Sequence, residues 1–190
     1  RSAHRKQITH RSEAVPNGKK NDWRIAPLKK PAGPVLIFSS PKIGADRLAR
    51  KLVASGIKCV ALHADRTMDQ RRQAVEGFKG GKYRVMVATD IAARGLDITG
   101  VTNVFNYAIP EDADSYVHRI GRTGRAGRSG KAIMLVQPRE VRLLRVIEQL
   151  IGQKIKLMRV TAMVDGAARR RETMTGPHGE KVSAGNARPY

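Results

Sequence analysis

Cysteine is almost absent from the sequence, and long apolar runs are missing. Cys59 is the one cysteine in 190 residues, so no internal disulfide can form. Its apolar neighbours in "IKCVAL" predict a small buried core residue in a reducing, cytoplasmic setting. No run of roughly 18 apolar residues is present, so no membrane span is expected. The opening "RSAHRK" has no apolar stretch and is not a signal peptide. Because it begins with Arg1 and not Met, we expect the chain to be cut from a longer protein.

Acidic residues are also scarce. The chain has 16 Asp and Glu against 37 Lys and Arg, which gives a net charge of +21 and a pI near 11.1. Such a charge predicts a polyanionic partner, with nucleic acid as the first candidate. An anionic membrane surface is not expected as the partner, because no predicted helix is basic on one face and aromatic on the other.

The sequence lacks the motifs that bind a nucleotide together with its metal. Gly-Lys pairs occur, but none is followed by Ser or Thr, as a phosphate-binding P-loop requires. The acidic stretch "EDAD", 111–114, follows Pro110 and is predicted to begin a helix, where acids favour the helix dipole. No His or Cys group has metal-binding spacing, and His63 and His118 lie beside no nucleophile that would suggest a triad. We therefore expect no metal site and no unaided binding of nucleotide phosphates.

What is present is a regular alternation of strand-like and helix-like segments. Short apolar runs predict five strands, at 34–40, 57–62, 84–89, 101–108 and 131–136. Segments with helical periodicity alternate with them; one is capped by the T-x-x-Q pattern of Thr67 and Gln70, and another begins at Pro138. This order predicts an α/β fold with a mostly parallel sheet and helices on both faces.

The ends of the chain have a different character. Residues 1–6 are expected to be a disordered remnant, 7–158 to form the domain with an additional edge strand at 7–15, and 159–190 to be a flexible basic tail. In parallel sheets of this kind, ligands bind outside the carboxyl ends of the strands. The segments that we expect there are 39–44, 63–67, 89–97, 107–112 and 118–130.

The stretch "VATDIAARGLDI", 87–98, places polar groups at the end of a predicted strand. The strand ends at Thr89 and Asp90, and the chain turns back over 94–97. A hydroxyl, backbone N–H groups and Arg94 suit phosphate contact, and Asp97 is suited to accept hydrogen bonds from a ribose. An ordinary strand-to-helix turn with solvated charges explains the same spacing equally well.

The stretch "HRIGRTGRAGRSG", 118–130, repeats Arg-x-Gly four times. A disordered Arg/Gly tract normally has polar neighbours. This one begins inside a helix that carries Tyr116 and Ile120, and it leads directly into the strand "KAIMLV". We therefore expect an ordered connection whose glycines let the backbone turn. Its arginines are suited to bidentate contact with phosphate oxygens, including a γ-phosphate held by another domain.

Together these stretches carry a family resemblance. "VMVATDIAARGLDI" followed by "YVHRIGRTGRAGRSG" resembles motifs V and VI of the DEAD-box RNA helicases, and "VLIFSSPKIGADRLARKL" resembles motif IV. The similarity runs from residue 7 to about 158 and implies the second, RecA-like lobe of that family. "LLRVIEQLIGQKI" and the basic tail resemble the bacterial RhlE-type group.

The resemblance implies a role for each matching residue. Arginine fingers that reach the ATP γ-phosphate, the catalytic residues, are implied at Arg122 and Arg125. Further ATP contacts, near the ribose, are implied at Gly95 and Asp97. RNA contacts are implied at Arg71, Thr89, Arg94 and the region of Asp65. Contacts between the lobes are implied at His118, Asp90 and Arg119, the last as a positioning residue.

The chain departs from the family pattern near the implied RNA contacts. Met68 stands where the family has the Gln of Q-x-x-R, Ala64 replaces a glycine, and Pro41 stands where motif IV ends in Thr. A methionine cannot replace a polar contact and proline has no N–H to donate, which puts these RNA contacts in doubt. Gly18 and Pro27 interrupt a stretch that is helical in the family, so we expect a weakened or irregular first helix.

The resulting expectation is the C-terminal half of an ATP-dependent RNA helicase. ATP and Mg²⁺ would be held mainly by an N-terminal DEAD lobe that this chain does not contain. The 190 residues alone are therefore expected to bind RNA weakly and to hydrolyse no ATP. The expected partners are RNA and that lobe, with no membrane, a cytoplasmic location and a monomeric state. Two alternatives remain open: a non-catalytic RNA-binding module, and a helicase lobe that acts on DNA.

Overall fold

The structure, a computed structural model, describes residues 8–20, 28, 33–124 and 128–159. The expected N-terminal remnant, 1–6, and the expected tail beyond residue 159 lie outside these ranges. Most of the stretch in which a weakened first helix was expected also lies outside them. Leu28, from that stretch, is buried in the core. The described residues all belong to one compact unit, which ends at Arg159.

Seven strands form one sheet, and all of their pairings are parallel. The strands are β1 (Ile8–Ala14), β2 (Val35–Phe38), β3 (Cys59–Leu62), β4 (Val85–Ala88), β5 (Asn103–Asn106), β6 (Gly130–Val136) and β7 (Leu157–Arg159). Their order across the sheet is β3-β4-β2-β5-β6-β1-β7. The central strands are apolar and buried along their whole length, as expected for a parallel sheet that is covered on both faces. The predicted parallel α/β fold is confirmed.

Helices connect most of these strands. They are α1 (Lys42–Ala54), α2 (Met68–Lys79), α3 (Asp90–Ala93), α4 (Ala113–Ile120) and α5 (Val141–Ile151), the last preceded by a 3₁₀ turn (Pro138–Glu140). The predicted cap of α2 is present: Thr67 Oγ1 accepts from the N–H of Gln70 at 3.2 Å, and Gln70 Oε1 accepts from the N–H of Thr67 at 3.0 Å. Asp112 caps α4 from one side, since its carboxylate accepts from the N–H of Ser115 at 2.6 Å and from the hydroxyl of Ser115 at 2.8 Å.

The core lies on both faces of the sheet because successive strand residues point to opposite sides. On one face, Ile37 and Val87 pack with the apolar side of α1. On the other face, Leu36 and Met86 pack with α2 and α3, and a neighbouring cluster joins α4 and α5 to β6. The predicted burial of Cys59 is confirmed. Burial raises the pKa of its thiol to about 12, so the thiol is neutral and unreactive at ordinary pH.

The position predicted for the first strand is wrong. Residues 7–15 were expected at the edge of the sheet, but β1 lies between β6 and β7 and pairs with both. The reason is β7, a strand of only three residues at the point where the hydrophobic pattern of the sequence decays. Three residues are too few to show the alternation of apolar and polar side chains from which a strand is predicted.

The position predicted for the main chain of 118–130 is also wrong in part. Its described residues after α4 lie beside the amino ends of the strands: Thr123 pairs with Val101, just before β5, and Gly130 pairs with Ile8 at the start of β1. A connection that leads into a parallel strand has to return to the amino edge of the sheet. The side chains of Arg119 and Arg122 reach back to the residues that follow β4.

A buried His–Tyr pair joins β1 to α4. His10 Nδ1 and the hydroxyl of Tyr116 are 2.8 Å apart, and His10 is 9% exposed while Tyr116 is fully buried. Burial lowers the pKa of His10 below the ordinary value of a histidine and raises that of Tyr116. As the pH falls through the ordinary titration range of histidine, the unfolded chain therefore takes up a proton at His10 more readily than the folded one.

We predict that the free energy of unfolding decreases as the pH falls from 7.5 toward 5, and that His10→Asn flattens this dependence. Asparagine keeps a polar partner for Tyr116 and does not titrate. Urea unfolding of both chains at several pH values measures the effect. Equal slopes for the two chains would contradict it.

Candidate functional site

A cavity of about 580 Å³ opens at the carboxyl ends of β2, β3, β4 and β5. Four of the site residues that the family resemblance implies border it: Thr89, Asp90, Arg94 and Arg119. A cleft of about 20 Å³ adjoins it and is bordered by His118 and Arg122 as well as by Asp90 and Arg119. Residues from two distant motifs therefore meet at one edge of the sheet, where ligands of parallel α/β proteins bind.

Arg119 forms the central contact between the two motifs. Its Nε and Nη2 donate to the two carboxylate oxygens of Asp90 at 2.7 and 2.6 Å. Its Nη1 donates to Asn106 Oδ1 at 3.0 Å and to the carbonyl of Ala108 at 2.6 Å. The guanidinium also lies 5.0 Å from the ring centre of Phe38. Because Arg119 is only 3% exposed, this set of partners is what makes the buried charge tolerable.

Two other arginines hold the end of α3 and the turn after it. Arg71 Nη2 donates to the carbonyl of Ala92 at 2.9 Å. Arg122 donates to the carbonyl of Leu96 at 3.0 Å and to that of Ala93 at 3.4 Å. Cations are favourable at the carbonyl end of a helix. Arg71 and Arg122, implied respectively for RNA and for ATP, therefore bond successive carbonyls at the end of the same short helix.

Thr123 and Gly124, in the described part of the Arg/Gly tract, are held by specific contacts. The hydroxyl of Thr123 donates to the carbonyl of Val101 and, at 3.2 Å, to that of Thr102. Gly124 has φ +67°, and a side chain there would run into Ile8. These contacts fix residues 123–124 against the residues before β5 and the start of β1. Arg125 lies outside the described residues.

The structure does not bring Asp97 to the cavity. Its carboxylate accepts from Lys79 Nζ at 2.6 Å and is 75% exposed. The hydrogen bond from Lys79 holds the pKa of Asp97 below its usual value, so the group is ionised at neutral pH. Gly95, with φ +74°, supplies the turn that carries the chain from α3 toward Asp97.

Asp65 forms an ion pair at the margin of the cavity. Its carboxylate accepts from Lys42 Nζ at 2.8 Å, and this hydrogen bond lowers the pKa of Asp65. Lys42, the first residue of α1, borders the cavity itself. Sequence reasoning did not select Lys42 as a site residue; the signal that could have found it is its place at the start of a helix, inside the motif IV match and the expected edge segment 39–44.

The departures from the family pattern are visible in the same region. Met68 is 71% exposed. Its sulfur lies 3.7 Å from Nη1 of Arg71 and is a weak acceptor for this donor. Pro41 and Ala64 border the cavity.

Among the described residues, no group of three or more His, Cys, Asp and Glu could hold a metal ion. In the same part of the chain, no helix has the length and hydropathy to cross a membrane.

Comparison with known proteins agrees with this geometry. Residues 20–127 match the family described as the helicase conserved C-terminal domain. ATP-dependent RNA helicase CshA of Listeria monocytogenes is 42% identical over 155 residues, which is 82% of this chain and 30% of that protein. The chain thus spans between 23 and 30% of the length of such curated relatives.

Solved structures give the same result. The E. coli DEAD-box protein SrmB, bound to regulator of ribonuclease activity A, matches with a TM-score of 0.73 and 35% identity, over 79% of this chain and 89% of that chain. The C-terminal domain of the DEAD-box protein Dbp5 matches with a TM-score of 0.76 and 30% identity, over 88% and 98%.

The fold and the site thus define a helicase C-terminal, RecA-like domain. More narrowly, the chain belongs to the DEAD-box family and corresponds to the C-terminal lobe of its members. The predicted family and fold are confirmed. The finer similarity to the RhlE-type group is not tested by these relatives and stays a prediction.

We predict that Asp90→Asn destabilises the fold by about 3 kcal/mol, because it leaves the buried guanidinium of Arg119 without its counter-charge. Asp69→Asn is the matched control, since it breaks an ion pair with Arg72 in which both side chains are at least 70% exposed. Its cost should stay below about 0.5 kcal/mol. Urea unfolding compares the two variants, and equal costs would contradict the central place of the Arg119–Asp90 pair.

Proposed function

We propose that this chain is the C-terminal lobe of an ATP-dependent RNA helicase, supplying arginines to ATP and part of the track for RNA. The observation that carries the proposal is the meeting of motifs V and VI, through Arg119 and Asp90, at the mouth of one cavity. The similarity to relatives such as ATP-dependent RNA helicase CshA supports the same activity.

Arg122 and Arg125 are proposed as the residues that face the γ-phosphate. The guanidinium of Arg122 now donates to neutral carbonyls, and an anionic phosphate oxygen is a stronger acceptor for it. Delivered in that way, an arginine stabilises the charge that develops during phosphoryl transfer. Among the described residues, no cluster of His, Cys, Asp and Glu side chains could hold a metal ion. Mg²⁺ and most contacts to ATP are therefore proposed to belong to a first lobe with a P-loop.

Gly95 and Asp97 are proposed to lie near the ribose of ATP. Asp97 is ionised and accepts from Lys79, so a ribose hydroxyl would have to replace or join that lysine. His118, which is exposed beside Arg122 in the small cleft, is proposed to contact the first lobe together with Arg119 and Asp90.

The large cavity is proposed to hold part of the RNA backbone. Thr89 offers a hydroxyl, and Lys42 and Arg94 offer positive charge around it. The buried hydroxyl of Ser39 borders the cavity and has no hydrogen-bond partner among the described residues, so a bound phosphate or water can satisfy it. Asp65 is proposed to act here by holding Lys42. Contacts to the backbone carry no sequence information, so binding should be sequence-tolerant and sensitive to salt.

In the proposed cycle, both lobes close on ATP and RNA, and closure completes the catalytic site. A closed form that accepts only bent single-stranded RNA opens a duplex locally. Hydrolysis and phosphate release then reopen the cleft. We also propose a cytoplasmic location and a monomeric state. The free, buried thiol of Cys59 supports the cytoplasmic location, because proteins in reducing compartments rarely carry disulfides.

We predict that the chain, joined to a DEAD-box first lobe, hydrolyses ATP when RNA is added, and that Arg122→Ala lowers kcat by on the order of 10³-fold. The same fall is expected for Arg125→Ala. Arg128→Ala is the matched control, because it removes one exposed arginine from the same connection. RNA-stimulated phosphate release measures all three. A joined protein without RNA-stimulated activity, or Arg122→Ala with full activity, would overturn the proposed function.

For RNA, we predict that Arg71→Ala weakens binding of a single-stranded oligouridylate and lowers the slope of log affinity against log salt by about 0.7, the value of one phosphate contact. Arg72→Ala removes the same charge one residue further on, from a side chain that is 70% exposed and paired with Asp69. Its slope should change less. Fluorescence anisotropy over a salt series distinguishes the variants, and identical slopes would exclude a phosphate contact at Arg71.

A further inference from the structure

Met68 is the most exposed of the four methionines that the structure describes. It is 71% exposed, whereas Met158 is 37% exposed and Met86 and Met134 are fully buried. It is also the first residue of α2, so only one side of it is covered by the helix. A thioether is oxidised to a sulfoxide where an oxidant can reach the sulfur. Among these four residues, Met68 is therefore the one at which oxidation is expected first.

The sulfur of Met68 lies beside a guanidinium group that has only neutral partners. Its Sδ is 3.7 Å from Nη1 of Arg71, which follows one helical turn later in α2. Nη2 of Arg71 donates to the carbonyl of Ala92, and its buried Nε has no hydrogen-bond partner among the described residues. A thioether is a weak acceptor. In the described part of the chain, the cation of Arg71 therefore has no anionic acceptor and remains open to one.

Oxidation changes the chemistry of this neighbour. The lone pair of Sδ attacks one oxygen of a peroxide, an S–O bond forms as the O–O bond breaks, and hydrogen peroxide leaves as water. The sulfoxide that results is polar, and its oxygen carries partial negative charge. Because the sulfur already lies 3.7 Å from Nη1 of Arg71, this oxygen can reach hydrogen-bonding distance of the guanidinium.

We propose that Met68 is a redox-sensitive modification site that controls the contact of Arg71 with RNA. This inference rests on the proposed function, which gives Arg71 a contact with the RNA backbone. In the thioether form, Arg71 is open to a phosphate oxygen. In the sulfoxide form, the new oxygen holds Nη1 and places negative charge where the phosphate binds. Unlike the glutamine of the family pattern, it has no N–H to donate to the phosphate, so oxidation weakens RNA binding.

Peroxide treatment of the folded 190-residue chain tests whether Met68 is the reactive site. Peptide mass spectrometry after short exposure to hydrogen peroxide should find the added oxygen on Met68 at least as early as on Met158. Met86 and Met134 should stay unmodified, because both are fully buried. Oxidation of Met68 no faster than that of the two buried methionines would overturn the assignment.

Fluorescence anisotropy with a single-stranded oligouridylate measures the consequence for RNA. Oxidation should weaken binding by roughly two- to tenfold, the range that a hydrogen bond of ordinary net strength supports. It should also lower the slope of log affinity against log salt toward that of Arg71→Ala. The two methionine sulfoxide reductases, one for each epimer, should restore both values with a dithiol, which becomes a disulfide while the oxygen leaves as water. Unchanged affinity after complete oxidation of Met68 would refute the proposal.

Two leucine variants locate the effect within the chain. Met68→Leu keeps an apolar side chain of similar size without the sulfur, so its affinity for RNA should not respond to peroxide. Met158→Leu is the matched control, because it removes the sulfur of the other exposed methionine in the described ranges, in β7. It should keep the full response. Equal responses of the two variants to peroxide would contradict a role for Met68.

Arg71→Ala separates this inference from the proposed function. If this variant binds RNA as tightly as the unmutated chain and with the same salt slope, the proposed RNA contact at Arg71 fails, and the inference fails with it. If Arg71→Ala weakens binding but oxidation of Met68 does not, the RNA contact stands and only the role of Met68 is refuted. Peroxide should have no further effect on Arg71→Ala itself; a further loss of affinity would show that the sulfoxide acts without Arg71, contrary to the proposal.

Discussion

The ion pair between Arg119 and Asp90 is the contact on which the arrangement of the site depends. It joins two residues that are 29 positions apart in the chain, and thereby fixes α4 against the start of α3. A buried guanidinium is costly unless its donors are used, and here a carboxylate, an amide and a carbonyl accept four hydrogen bonds from it. Since Arg122 follows Arg119 by one helical turn, the place from which it reaches α3 is set by the same pair.

Most of the fold could be predicted from the sequence, because its signals are local. The buried strands appear as short apolar runs, and the caps at Thr67 and Asp112 are visible as patterns of a few residues. The errors concern long-range relations. The inner position of β1 depends on β7, a three-residue strand that starts 149 positions after Ile8 and carries almost no pattern. To predict where the main chain of 118–130 lies, one has to know that β6 runs parallel to its neighbours, because the connection before it then has to return to the amino edge of the sheet. The residue types in this stretch do not indicate that direction.

The site was predictable in its members but not in their partners. Motif matching selected Asp90, Arg94, Arg119 and Arg122, which the structure brings together. It could not tell that Asp97 is held by Lys79, away from the cavity, or that Asp65 holds Lys42. Nor could it show that Arg71 and Arg122 rest on main-chain carbonyls. Which acceptor a side chain bonds depends on which carbonyl and carboxylate groups the fold brings within its reach. The local sequence does not show which groups those are.

The inner position of β1 has a consequence for how the lobe assembles. Ribosomes release a chain from its N-terminus, so Ile8–Ala14 emerges long before Gly130–Val136 and Leu157–Arg159, the two strands with which it pairs. Until then its N–H and C=O groups have no native strand beside them, and closing so long a loop is slow. The βα units from β2 to α4, which carry the described site residues, can form earlier from neighbouring segments. Of the seven strands described, the first to be synthesised is thus among the last to be paired.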